Sequence, residues 1–290
     1  MFQEKYTIFW YRCQGFFRAN YWENIDMTAA NQVLRATFDQ DALLYDQARP
    51  GYPEALIEDI VALSSLPPRG RILEIGCGTG QATLPFARRG YRLLAVELGA
   101  NLATVARHKL AAYPDVEIQT GTFEAWPMQE RSFDLAISGT AFHWIDPTVG
   151  YRKLAQALRS GGAAALFWNK HIYHPDDGGF FEAVQEVYRR EAPDIFTDRP
   201  LQQAEEVEEE AGVQMGASGL FGPVIVRRYP WVQEYDAESY IRVHNTYSDH
   251  ISLRPERRQR LYAGFRELID TRFNGRVQKA YLSLLYLAHR

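Results

Sequence analysis

Three carboxylates, Glu74, Glu97 and Glu124, each stand at or just past the end of a short apolar run in this 290-residue sequence. The first precedes three glycines, Gly76, Gly78 and Gly80, spaced two apart in RILEIGCGTGQATL. A glycine-rich turn between a strand and a helix lets a ligand approach the backbone closely and presents N–H groups to it. Acids at the carboxyl ends of strands lie where open α/β sheets bind ligands. A dinucleotide turn requires G-x-G-x-x-G, but the residue three past Gly78 is Gln81, so that spacing fails. Three carboxylates are also poor company for two phosphates. They suit S-adenosylmethionine, which carries a sulfonium, an ammonium and a single carboxylate. An acid ending the second strand, the place of Glu97, can take both of its ribose hydroxyls.

Methyl transfer from a sulfonium is an in-line displacement, helped mainly by alignment and exclusion of water. A carboxylate acceptor needs no base, whereas a phenol, hydroxyl or ammonium does. The segment AFHWID follows the fourth predicted strand and carries His143, a candidate base or positioner, and Trp144, a candidate wall. After the fifth strand, LFWNK offers Asn169 as a substrate-facing residue and Trp168 as a core one. Tyr45 and Arg49 in YDQARPGYP are one helical turn apart and share a face if that stretch is helical. Arg49 could pair with a carboxylate of cofactor or acceptor. In HNTYSDH, His244, Asp249 and His250 fit no common metal signature, and no metal is expected; Tyr247 and Ser248 are read as lining the acceptor pocket or capping a helix.

These residues require a scaffold of alternating strands and helices, hence a mostly parallel sheet. Strands are predicted at Arg71–Ile75, Arg92–Glu97, Val116–Thr120, Phe133–Ser138 and Ala163–Trp168. QATLPFARRG reads as a helix with Pro85 in its first turn and a closing glycine. NLATVARHKLAAYP reads as one capped by Asn101 and stopped by Pro114, and GYRKLAQALRSGG as one ending on paired glycines. An insertion over about 172–220 is expected to hold helices near Phe180–Glu191 and Leu201–Ala211, the acidic run AEEVEEEAG being a solvated face. A strand at Val224–Val232, helices over Asp236–Asp249 and Pro255–Phe273, and a strand at Val277–Leu287 complete the pattern. The expected architecture is a Rossmann-like, seven-stranded, mostly parallel sheet with an antiparallel edge hairpin, helices on both faces and helical lid elements.

Taken in order, ILEIGCGTG, LLAVELGANL, TGTFEAWP, SFDLAISGTAFHWIDP and LRSGGAAALFWN resemble the class I S-adenosylmethionine-dependent methyltransferases over about residues 38–170. TFDQDALLYDQARPGYP and the C-terminal HNTYSDH and VQKAYLSLLYLAHR further resemble a small-molecule branch that includes trans-aconitate-type enzymes. The resemblance implies that Gly76, Gly78 and Gly80 wrap the methionine end of the cofactor, with Glu74 near its amino group and Glu97 on the ribose. It extends the cofactor contacts to Cys77, Thr79, Leu98 and Ser138. Thr122 stands where many relatives carry an adenine-binding aspartate, with Phe123 available to stack on the base and Glu124 to compensate. Cys77 itself has no basic sequence neighbour to activate it and reads as a compact filler. The resemblance makes the segment of Tyr45 and Arg49 a lid over the cofactor.

A net charge of −4 argues against a general nucleic-acid binder, and no apolar run approaches a membrane span. Two cysteines, Cys13 and Cys77, cannot form a disulfide framework or a four-cysteine zinc site within one chain. A cytoplasmic placement is expected, with a small-molecule acceptor, a carboxylic acid being the narrower expectation; the oligomeric state is not legible. Residues 1–26 are crowded with aromatics and lack a signal-peptide pattern. They read as an extension ahead of a domain over 27–290, either packing on its body or reflecting a start codon that truly lies at Met27. Two other readings remain open: a non-catalytic module that binds S-adenosylmethionine, and a nicotinamide-dependent oxidoreductase, which the glycine spacing disfavours.

Overall fold

A computed structural model describes residues 39, 41–198, 200–208 and 210–290. The extension over residues 1–26 lies outside the described residues. Two helices, α1 (Ala42–Ala48) and α2 (Glu54–Leu63), lead into β1 (Arg71–Ile75), α3 (Thr83–Arg88), β2 (Arg92–Glu97), α4 (Ala100–Lys109), β3 (Val116–Thr120) and β4 (Phe133–Gly139). A 3₁₀ turn at Phe142–Trp144 then precedes α5 (Pro147–Ala157) and β5 (Leu158–His171). Next come α6 (Phe180–Glu191), α7 (Glu210–Ala217), β6 (Ile225–Tyr235), α8 (Ala237–His244), α9 (Ser248–Ser252), α10 (Pro255–Arg272) and β7 (Val277–His289).

The seven strands form one sheet in the order β3-β2-β1-β4-β5-β7-β6. The first five are parallel, whereas β7 runs antiparallel to both β5 and β6. The inner strands are apolar on both faces because helices cover both. Leu73, Ile75, Ala136, Leu166, Leu284 and Tyr286 pack into one layer with α5 and α7. Ile72, Leu135, Ile137, Phe167, Leu285 and Leu287 pack into the other with α2, α3 and α4. A third cluster joins α6, α8 and α10 to Tyr235 and Tyr281 beyond the carboxyl ends of the parallel strands. This arrangement puts a helical cover over the edge of the sheet where the predicted site lies.

Local chemistry explains several helix starts. Asp146 accepts the Thr148 N–H at 2.9 Å, and Pro147 fills the first position of α5. Asp236 and Ser239 form a reciprocal capping box on α8.

Several expected boundaries are corrected. Asn101 lies inside α4, whose N-cap is Gly99, and the helix ends at Lys109, ahead of Pro114. Its orphan Leu102 N–H is taken by Asp39, 63 positions upstream, at 2.9 Å. The paired glycines 161 and 162 do not end α5; the chain enters β5 from Leu158, which pairs with Phe133. No helix covers Leu201–Val207; the helix there is α7, from Glu210. Arg228 on β6 donates to the carbonyls of Ala204 (3.2 Å) and Val207 (2.8 Å) and holds that stretch as a turn. The expected helical stretch over Asp236–Asp249 breaks into α8 and α9, while β6 and β7 form the expected antiparallel edge pair.

Candidate functional site

The loop after β1 is built from residues that tolerate unusual backbone. Gly76 has φ +70°, and a Cβ there would lie 2.5 Å from that of Ala141, in the loop after β4. Gly78 (φ +56°) and Gly80 (φ +89°) continue the left-handed path. Cys77 and Thr79 are buried beneath this loop. Burial raises the Cys77 thiol well above its ordinary value, with Glu97 and Glu74 adding to it, which fits a filler and not a nucleophile. The Thr79 hydroxyl accepts from the Gln81 amide at 2.7 Å.

Glu97 fixes the loop. One carboxylate oxygen accepts the Gly78 N–H and the other the Gly99 N–H, both at 2.8 Å. The carboxylate therefore bridges the ends of β1 and β2 while keeping acceptor capacity for two further donors, the number a ribose diol supplies. Burial raises its pKa, partly offset by those backbone donors. Glu74 is sealed behind the loop, with one oxygen buried and unpartnered. Burial raises its pKa to about 8, and Glu97 adds to the shift. A cationic group beside it would relieve both defects, so this chain's residues fit the ammonium and ribose of S-adenosylmethionine.

At the adenine end, the Thr122 hydroxyl accepts the Ala125 N–H at 3.1 Å and Leu98 is exposed at the rim. Phe123 is buried with its ring against Trp126, centroids 6.3 Å apart, so it takes a place in the core. Lys153 lies over both rings and donates to the Glu124 carbonyl at 3.0 Å. The Glu124 side chain is half-buried. Ser138 is fully buried and donates to the Ile75 carbonyl at 2.7 Å, tying β4 to β1 under the loop.

α1 brings Tyr45 against the glycine loop: a Cβ on Gly78 would lie 3.5 Å from the Tyr45 ring. Asp41 caps this short helix by accepting the Leu44 N–H at 3.0 Å. One turn on, Arg49 lies over the Tyr45 ring at 5.1 Å and the Tyr247 ring at 4.8 Å. It donates to the Thr246 carbonyl at 2.7 Å, in the break between α8 and α9. The Tyr247 hydroxyl meets His171 Nε2 at 3.1 Å. Asn169 donates to the Gly51 carbonyl and accepts from the Ser283 hydroxyl at 2.6 Å. Tyr52 meets the Thr140 hydroxyl at 3.0 Å, pinning the first segment to the loop after β4. Arg49 thus joins Tyr45 to Tyr247, and Asn169 is tied to the same first segment through Gly51.

His143 and Trp144 do not join them. Successive strand residues point to opposite faces, and Phe167 and Trp168 belong to opposite layers. The Trp168 indole N–H donates to His143 Nδ1 at 3.0 Å, which tethers His143 to the layer away from Asn169 and His171. Because indole is only a donor, the proton of the neutral imidazole sits on Nε2. Burial lowers the His143 pKa to about 3, with Lys170 adding to the effect. Trp144 packs against His143, ring centroids 5.1 Å apart.

Sequence reasoning missed Tyr52, His171, Lys279, Tyr281 and Ser283. His171 and Tyr281 pair across β5 and β7, but the apolar alternation of KAYLSLLYL marks only a buried strand. His244 and His250 are buried in the helical cover, where His250 Nε2 meets the Tyr188 hydroxyl at 2.9 Å. Among the described residues, no group of three or more His, Cys, Asp or Glu could hold a metal ion, and no helix is long and apolar enough to cross a membrane.

The sheet order, the glycine loop and the bridging acid together define a Rossmann-like methyltransferase scaffold. Residues 73–166 match the family model described as a methyltransferase domain. An uncharacterized methyltransferase of Mycobacterium tuberculosis is 31% identical over 143 residues, 49% of this chain and 56% of that protein. The malonyl-[acyl-carrier protein] O-methyltransferase of Serratia marcescens is 28% identical over 142 residues, 47% of this chain and 54% of that protein. A putative type II methyltransferase from Anaeromyxobacter dehalogenans has the same fold, with a TM-score of 0.55 at 22% identity over 83% of this chain and 97% of that one. The match with this chain spans about half the length of the curated relatives. Residues 73–166 of this chain thus match a methyltransferase domain, set in a fold shared with solved methyltransferases.

Proposed function

We propose that the protein methylates a carboxylate of a small organic acid. One observation carries this reading: beside the glycine loop the Arg49 guanidinium lies over the Tyr45 and Tyr247 rings, while burial holds His171, the partner of the Tyr247 hydroxyl, well below the ordinary pKa. These groups attract an anion, and a carboxylate acceptor needs no base. When bound, S-adenosylmethionine supplies an electrophilic methyl group on a sulfonium, which a carboxylate oxygen takes by in-line displacement, leaving S-adenosylhomocysteine. Glu97 holds the ribose, and Glu74 receives the ammonium. Arg49 and Tyr247 orient the acceptor, and α1 and α8–α9 exclude water. His143 is a positioning residue that fixes the loop after β4 through Trp168.

The acidic net charge favours a small acceptor over a nucleic acid. The relative named for O-methylation of a malonyl group agrees with an acid acceptor, as does the resemblance to trans-aconitate-type enzymes. The test is transfer of labelled methyl from S-adenosylmethionine to panels of carboxylic acids, phenols, amines and ribosomal RNA. Esters release labelled methanol in mild base. Base-labile label in the acid panel is the expected outcome; base-stable label, or label in RNA, would overturn the reading. Binding of S-adenosylhomocysteine without transfer to any panel would favour a non-catalytic binding module.

A further inference from the structure

Lys279, at the start of β7, meets the same Tyr247 and has an unusual set of neighbours. Its Nζ lies 5.6 Å from the centre of the Tyr240 ring, 5.4 Å from Tyr247 and 5.9 Å from Tyr281. Tyr247 is shared: Arg49 lies over it at 4.8 Å, and Arg49 reaches back to Tyr45 and the glycine loop. Among the described residues, no carboxylate pairs with Lys279 and no acceptor takes its N–H donors. Three rings favour an ammonium through their negative faces, yet they leave its three donors unmet. The residue as a whole is partly exposed. A second cation, Arg49, and the more distant Asp249 are the charged groups that act on it. His171 and His244 also feel its charge, and burial keeps both neutral. Two cations flanking one tyrosine, with one of them lacking any acceptor, describe a subsite missing an anion.

We infer that Lys279 is a specificity-determining residue that binds a carboxylate of the methyl acceptor beside Tyr247 and Arg49. The inference rests on the carboxylic acid reading above and adds to it the group that selects an anionic acceptor. Burial, reinforced by Arg49, lowers the Lys279 pKa to about 7, so the arriving carboxylate also restores a full charge to the ammonium.

The experiment is calorimetric titration of the full chain, saturated with S-adenosylhomocysteine, with succinate, citrate and the uncharged control succinamide. Wild type, Lys279→Met and Lys279→Arg are compared. Wild type should bind at least one of the acids and not succinamide. Lys279→Met should weaken that binding by about tenfold or more and Lys279→Arg should retain most of it. S-adenosylhomocysteine affinity, read on the same samples, should stay within about twofold, since Lys279 does not touch the glycine loop. Should the methionine variant lose cofactor binding, Lys279→Gln takes its place. Equal acid binding by wild type and Lys279→Met would overturn the role of Lys279 and leave the reaction standing. Lys279-dependent binding of acids that never receive label would overturn the reaction and leave the subsite standing. Failure of wild type to bind either acid would overturn both.

Discussion

The Glu74 carboxyl lies behind the glycine loop with burial holding its pKa at about 8 instead of the ordinary 4.5. Without a cation beside it, the folded chain keeps this proton at neutral pH while the unfolded chain releases it. The stabilising contribution is therefore fully present below about pH 4.5 and lost as pH rises through about 8. Glu74→Gln, which cannot ionise, should make the cofactor-free protein more stable at pH 8 by on the order of 1–3 kcal/mol, with the advantage shrinking toward pH 5. Urea unfolding at the two pH values measures this, and a difference independent of pH would refute the assignment. The same substitution should weaken S-adenosylmethionine binding. The place of Glu74 in β1 was legible, because its apolar run leads straight into G-x-G-x-G. Lys279 was not, because its meaning comes from Tyr240, Tyr247 and Arg49, which lie on other elements.

Among the elements, the strands were read most faithfully: β1, β2 and β3 fall at the expected residues because their apolar runs are short and sharply bounded. Misreadings arose where a distant side chain decides the backbone. Asp39 caps α4 in place of Asn101, Arg228 holds 204–207 as a turn, and Arg49 takes the Thr246 carbonyl where α8 would have continued. None of these partners lies within a helical turn of what it controls, so no local pattern announces them. Contact between elements also sets the tolerance of the cofactor loop. In Gly76→Ala the new methyl would meet Ala141 at 2.5 Å from a left-handed backbone, forcing the loops after β1 and β4 apart. A loss of about 2 kcal/mol or more in stability and of most S-adenosylhomocysteine binding is expected, read by urea unfolding and calorimetry. Retained binding would mean that the two loops can separate without harm.

The whole molecule divides into two layers on the sheet and a helical cover with its own core. The cover shares Tyr281 with the sheet and reaches the first segment through Arg49 and Thr246. Local opening should therefore separate the cover from the sheet: amides of α8 and α9 should exchange with solvent at lower opening free energy than those of β1 and β4. Saturation with S-adenosylhomocysteine should slow exchange in α1 and α8–α9 together, since the ligand orders the loop against which Tyr45 rests. Native-state hydrogen exchange read by mass spectrometry checks both, and uniform protection across cover and sheet would contradict the division.

The strand order carries one more consequence. β7 is last of the seven in sequence yet lies between β5 and β6. As the chain emerges from the ribosome, the parallel strands that hold the glycine loop and Glu97 can associate early. The exposed edge of β5 must then wait until Val277–His289 has been made. Lys279, Tyr281 and Ser283 arrive with that strand, so the proposed acceptor subsite would be completed after the glycine loop and Glu97. A nascent chain stalled before residue 277 would carry the glycine loop without that subsite, and an unpaired apolar edge inviting wrong partners.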